Sequence, residues 1–128
     1  MDLNRIIIPP ITLHWSSWIR WKTLEPHARS PGGVAVPNGR PGVYEVRRLK
    51  EEERLTIGKA ADIRHRVKQC LVRGKGPHPA GLEIRSNEDV SQLEVRWAET
   101  DRPAAVEEEL HRRHREHFGR LPRYTIFT

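Results

Sequence analysis

The sequence predicts a small α/β domain, a three-stranded sheet flanked by helices in the order β-β-α-α-β-α. Three patterns predict it. Runs at 42–48, 55–57 and 91–97 carry β-formers or strict alternation. Ile63, Val67, Cys70 and Leu71 follow the i, i+4, i+7, i+8 spacing of a buried helix face. A second helical line, Val106, Leu110 and Phe118, has Pro103 in its first turn and Gly119 and Pro122 at its end. The chain has 128 residues, of which 36% are hydrophobic, enough for one compact core.

In chain order, residues 1–36 form an irregular extension expected to pack on the domain. Six prolines up to Pro41, with Gly32-Gly33, interrupt any long element. Trp15, Trp18 and Trp21 recur every third residue, so a short helix would bring them to one face. They serve either as core cover or as a stacking surface. Residues 42–48 follow Pro41 as the first strand. Leu49 to Arg54 make a polar turn, and Leu55-Thr56-Ile57 return, with Gly58 ending the strand. A helix then starts near Ala60, with Arg66 at the edge of its apolar stripe, and Gly74 and Gly76 break it. Pro79 opens a short second helix through Arg85. Leu93, Val95 and Trp97 share one face of the third strand, and Thr100 or Asp101 caps the last helix.

The charge is uneven. The chain carries 23 Lys+Arg against 17 Asp+Glu, a net +6. Lys59, Arg64, Arg66, Lys68, Arg73 and Lys75 crowd one segment against the single acid Asp62, and an acidic stretch follows it. That contrast fits a phosphate-binding face beside a carboxylate-bearing site; the plainer alternative is a solvated helix face. No apolar run approaches the roughly 20 residues that span a bilayer; Ile6-Ile7-Ile8 is stopped by Pro9-Pro10. The N-terminus lacks a secretory pattern, and the one cysteine, Cys70, excludes an internal disulfide framework. These features point to a cytoplasmic protein with no membrane association.

Gly42-Val43-Tyr44, then Thr56-Ile57-Gly58, then Arg66 eight residues beyond that glycine, resemble the GIY-YIG nuclease superfamily. The run Gly58 to Val67 looks like the N-terminal nuclease domain of the bacterial excision-repair nuclease. Gly76-Pro77-His78 is similar to a Gly-x-His element of phage homing endonucleases. Glu107-Glu108-Glu109-Leu110-His111 fits the helix carrying the family's metal-binding glutamate, and Pro122 to Thr125 sits where a Pro-x-x-Asn tail is found. The resemblance covers residues 37–128 and implies a GIY-YIG-like nuclease domain there.

It implies a metal-dependent endonuclease that hydrolyses phosphodiester bonds in DNA. Tyr44 would activate or position the attacking water, Arg66 would contact the scissile phosphate, and Glu107 would hold Mg²⁺ or Mn²⁺. Two positions depart from the family pattern. Thr56 replaces the second tyrosine and cannot act as a phenol, and Thr125 replaces the tail asparagine. His78 or His65 is expected to supply the missing proton transfer, with His78 the stronger choice. Lys59, Arg64, Lys68, Arg73 and Lys75 are expected to contact phosphates of DNA or another nucleic acid. His111, His114 and His117 are expected on a solvated basic helix face rather than in a zinc site. No targeting domain is visible, so specificity would come from residues 1–36, a homodimer or a separate protein. The alternative is a module of this fold, weakened or inactive in catalysis, that binds nucleic acid or a protein partner.

Overall fold

The computed structural model describes residue 4 and residues 10–125; Ile6-Ile7-Ile8 lies outside them. The sheet has four antiparallel strands, not three. β1 (Ile19–Arg20) pairs with β4 (Leu93–Glu99), which pairs with β2 (Gly42–Arg48), which pairs with the edge strand β3 (Arg54–Ala60). The extra strand comes from the proline-rich extension. Two residues cannot show a period of two, so the pairing of Ile19 with Val95 had no local sequence signal.

β2 is central, and its two faces feed two cores. Tyr44 and Val46 join the larger one with Ile63, Val67, Leu71, Ile84, Val95 and Trp97. Val43 meets Ala98 and Val106 on the other face, with Leu13, Trp15 and Leu110 packed against them. Gly42 is needed at the strand start, because a Cβ there would strike the Ala98 carbonyl and the Ile63 side chain.

Gly58 does not end β3, which runs on to Ala60. The next helix starts at Ile63 and is a wide π-helix over His65–Val72. It closes with the Arg73 amide donating to the Lys68 carbonyl, an i→i−5 bond. The buried stripe expected at Ile63, Val67, Cys70 and Leu71 is present, but the wider winding also buries Lys68 and Val72. Helix α1 (Trp21–Leu24) buries Trp21 and Leu24. Trp15 and Trp18 lie outside it, so the three tryptophans do not share one helix face. Arg96 stacks on Trp15, and Arg47 stacks on Trp18.

Helix α2 (Pro79–Asn87) runs two residues past the predicted end. A 3₁₀ turn over Val90–Gln92 precedes β4, which shifts the third predicted strand two residues later. Helix α3 spans Pro103–Phe118, with Gly119 closing it in the left-handed conformation at φ 76°. Neither predicted cap fills the cap position, which is Arg102. Instead the Thr100 hydroxyl accepts from the Arg102 amide. Among the described residues no helix is long and apolar enough to cross a membrane.

Candidate functional site

A cleft of about 610 Å³ opens along edge strand β3. One wall carries Tyr44, Arg66, His78 and Ala80; β3 from Thr56 to Ala60 forms the floor; Glu107 and His111 of α3 form the other wall, and Tyr124 and Thr125 close the end. The structure therefore brings together all five residues singled out for chemistry: Tyr44, Thr56, Arg66, His78 and Glu107.

Tyr44 is 2% exposed on the central strand, directly opposite Gly58 of β3. That glycine makes room for the phenol, since a Cβ at position 58 would fall on the Tyr44 hydroxyl and ring. Burial pushes the Tyr44 pKa up to about 12, against the neighbouring Arg66 guanidinium, which favours the phenolate.

The Tyr44 Oη lies 2.6 Å from His78 Nε2. His78 precedes Pro79 and is the N-cap of α2, its Nδ1 accepting from the Gly81 amide at 2.9 Å. A backbone amide can only donate, so Nδ1 carries no proton. Burial above all, with Arg66 and Arg85 adding to it, holds the His78 pKa down to about 4, so the ring is neutral. The single ring proton is then on Nε2 and is donated to Tyr44. His78 is thus a donor that favours the Tyr44 phenolate, not a base that removes its proton. The phenolic hydrogen is left free to point elsewhere.

Arg66 is half-buried and donates from Nη1 to the Pro77 carbonyl at 2.9 Å, so it reaches across to the loop before His78. The Glu107 carboxylate makes no hydrogen bond or ion pair among the described residues. Thr56 is 3% exposed, and its hydroxyl donates to the Tyr124 carbonyl. It ties the tail to β3, where the Tyr124 amide also bonds the Leu55 carbonyl. Thr125 bonds locally to the Pro122 carbonyl.

The expected phosphate-binding row divides. Lys59 is exposed and lines the cleft, and Lys75 is exposed beyond the π-helix. Lys68 does not belong to the row. It is 1% exposed, and its Nζ donates to the Pro26 and Ala28 carbonyls, holding the extension to the helix. Arg64 likewise serves the Val36 and Arg29 carbonyls, and Arg73 binds His27 and Gln69. These three cations face the extension rather than the cleft. Residues two apart on a helix point to opposite sides, so Arg66 faces the cleft while Lys68 faces the extension.

The solvated histidine face is corrected at two of its three positions, His117 alone being exposed. His114 is 5% exposed, accepting from the Arg54 amide through Nε2 and donating from Nδ1 to the Arg120 carbonyl. His111 is half-buried and donates from Nε2 to the Ile57 carbonyl at 3.0 Å. Sequence reasoning missed His111 and Tyr124 as cleft residues. His111 stands four residues after Glu107, so helical spacing alone placed it on the same face. Tyr124 had no such signal, because its position depends on the tail folding back onto β3. Among the described residues, no three His, Cys, Asp or Glu side chains gather as a metal cage. Comparison with protein-family models, with curated proteins and with solved structures found no match for this chain.

Proposed function

We propose that the chain is a metal-dependent endonuclease of the GIY-YIG type that hydrolyses phosphodiester bonds in DNA. The observation that carries this reading is the meeting of a phenol, a guanidinium and an unpaired carboxylate, Tyr44, Arg66 and Glu107, in one cleft. Each supplies a need of phosphodiester hydrolysis. Arg66 offers a fork of donors to the non-bridging phosphate oxygens. Tyr44 orients the attacking water through its hydroxyl. Burial holds the phenol pKa up at about 12, and the Arg66 guanidinium and the His78 Nε2–H bond work against that rise, toward the phenolate that could take up the water's proton. The Glu107 carboxylate, free of protein partners among the described residues, fits a hard divalent cation such as Mg²⁺ or Mn²⁺. When bound, the cation neutralises charge growing on the phosphoryl oxygens. Lys59 at the cleft floor binds the flanking backbone.

One observation favours a second reading, a module of the same fold that binds nucleic acid or a partner without cutting. The Thr56 hydroxyl is committed to the Tyr124 carbonyl, so position 56 offers the cleft no second acid–base group. A plasmid-nicking assay with Mg²⁺ or Mn²⁺ separates the two. The nuclease should nick in a metal-dependent way, and Glu107→Gln or Arg66→Ala should lower the rate by about 10²–10³. Tight binding with no cleavage by the unmodified chain in any divalent metal would establish the second reading.

A further inference from the structure

We propose that His111 is a second protein ligand to the metal, binding through Nδ1 beside Glu107, and that the site therefore selects Mn²⁺ over Mg²⁺. This rests on the nuclease reading of the cleft and deepens it.

Glu107 and His111 are one turn apart on α3, and both line the cleft. The bond from His111 Nε2 to the Ile57 carbonyl fixes the tautomer, because a carbonyl oxygen only accepts. In the neutral ring the proton then sits on Nε2, and Nδ1 keeps its lone pair. Nδ1 has no hydrogen-bond partner among the described residues. A ligating histidine characteristically gives its other N–H to a backbone carbonyl, which sets ring orientation and raises ligand basicity. Here that carbonyl belongs to β3, one residue before the glycine that receives Tyr44. The same hydrogen bond therefore fixes His111 relative to the phenol.

Two protein ligands leave the remaining positions to water and phosphate oxygens, the open arrangement a hydrolytic site needs. No third acidic or imidazole side chain joins them among the described residues. A carboxylate alone suits Mg²⁺ in an all-oxygen shell. An added imidazole nitrogen moves preference toward Mn²⁺ and later transition ions.

Metal binding to the full chain, measured by calorimetry and by Mn²⁺ spin resonance without DNA, tests this directly. The unmodified protein should bind Mn²⁺ at least about tenfold more tightly than Mg²⁺. Its Mn²⁺ spectrum should show coupling to an imidazole nitrogen. His111→Gln places an amide N–H near the former Nε2 and so retains a donor for the Ile57 carbonyl, while removing Nδ1. It should lose the nitrogen coupling and about 10-fold or more of Mn²⁺ affinity, with Mg²⁺ binding nearly unchanged. Glu107→Gln should lose both metals. An unmodified protein that binds Mn²⁺ without nitrogen coupling, or a His111→Gln variant with an unchanged Mn²⁺/Mg²⁺ ratio, overturns the assignment of His111 and leaves the Glu107 site standing. If Glu107→Gln binds both metals as before, the metal site of the nuclease reading fails as well.

Discussion

At the scale of single residues, the hydrogen-bond acceptor at His78 Nδ1 decides what Tyr44 can do. The residue itself was legible from Gly76-Pro77-His78. Its capping role was within reach too, since Pro79 marks the first helical position and leaves His78 before it. The proton inventory was not legible, because it depends on where the Gly81 amide points. The consequence for stability has a definite sign. The ring titrates near 6.5 when unfolded and near 4 when folded. Between these values the unfolded chain binds more protons, so stability is complete above about pH 6.5 and falls as the pH drops toward 4. The loss from this ring amounts to about 3 kcal/mol at most. His78→Asn keeps an oxygen able to cap the Gly81 amide and removes the titrating ring. Urea midpoints from pH 4 to 8 should therefore show a flatter acid limb in the variant. Some slope should remain from His114, whose pKa burial also lowers. Identical acid limbs in the two proteins would show that His78 is not held neutral.

At the scale of elements, the sequence period carries the helices well and the charged side chains poorly. Pro103–Phe118 is legible at its end, which Gly119 closes, and to within two residues at its start, where Pro103 marks the first turn but Arg102 rather than Thr100 or Asp101 holds the cap position. The segment from Ile63 is legible as a helix, and its period keeps Arg64 and Lys68 on one side; it does not record that the extension covers that side. Over His65–Val72 the winding is wider, and Lys68 is held against the extension by the Pro26 and Ala28 carbonyls. Lys59 and Lys68, close in sequence, should therefore behave differently. Lys68→Ala leaves the Pro26 and Ala28 carbonyls short of a donor and should cost about 2 kcal/mol in stability. Lys59 is exposed at the cleft. Lys59→Glu should leave the melting temperature nearly unchanged, weaken duplex binding similarly for unrelated sequences, and lower the salt slope by about 1. Melting curves and binding titrations at several salt concentrations check both. A Lys68→Ala variant with native stability would undo the structural assignment, and a Lys59→Glu variant with native affinity would remove Lys59 from the footprint.

At the scale of the whole molecule, the boundary expected near residue 37 separates two sequence compositions but not two packed bodies. Composition marks the extension as irregular because its order comes from distant partners, which no local pattern records. Ile19 and Arg20 pair with Val95 and Glu94, and Trp21, Leu24 and Val36 are buried in the larger core. On the opposite face, Glu45 is 4% exposed and ion-paired to Arg54 and Arg96, with Trp15 and Trp18 stacked against the surrounding guanidiniums. Removing residues 1–36 would uncover both faces. Burial of Trp21, Leu24 and Val36 contributes on the order of 2 kcal/mol each, about 6 kcal/mol together. That equals much of the roughly 5–15 kcal/mol that holds a domain folded. The ion triad around Glu45 would also lose its aromatic cover. A chain of residues 37–128 retains Tyr44, Arg66, His78, Glu107 and His111, yet it should not fold cooperatively. Its near-ultraviolet circular dichroism should be weak and its melt broad or absent. A sharp melt within about 10 °C of the full chain, a shift worth only about 3 kcal/mol, would show that the extension adds little. It would also show that residues 37–128 suffice to shape the cleft.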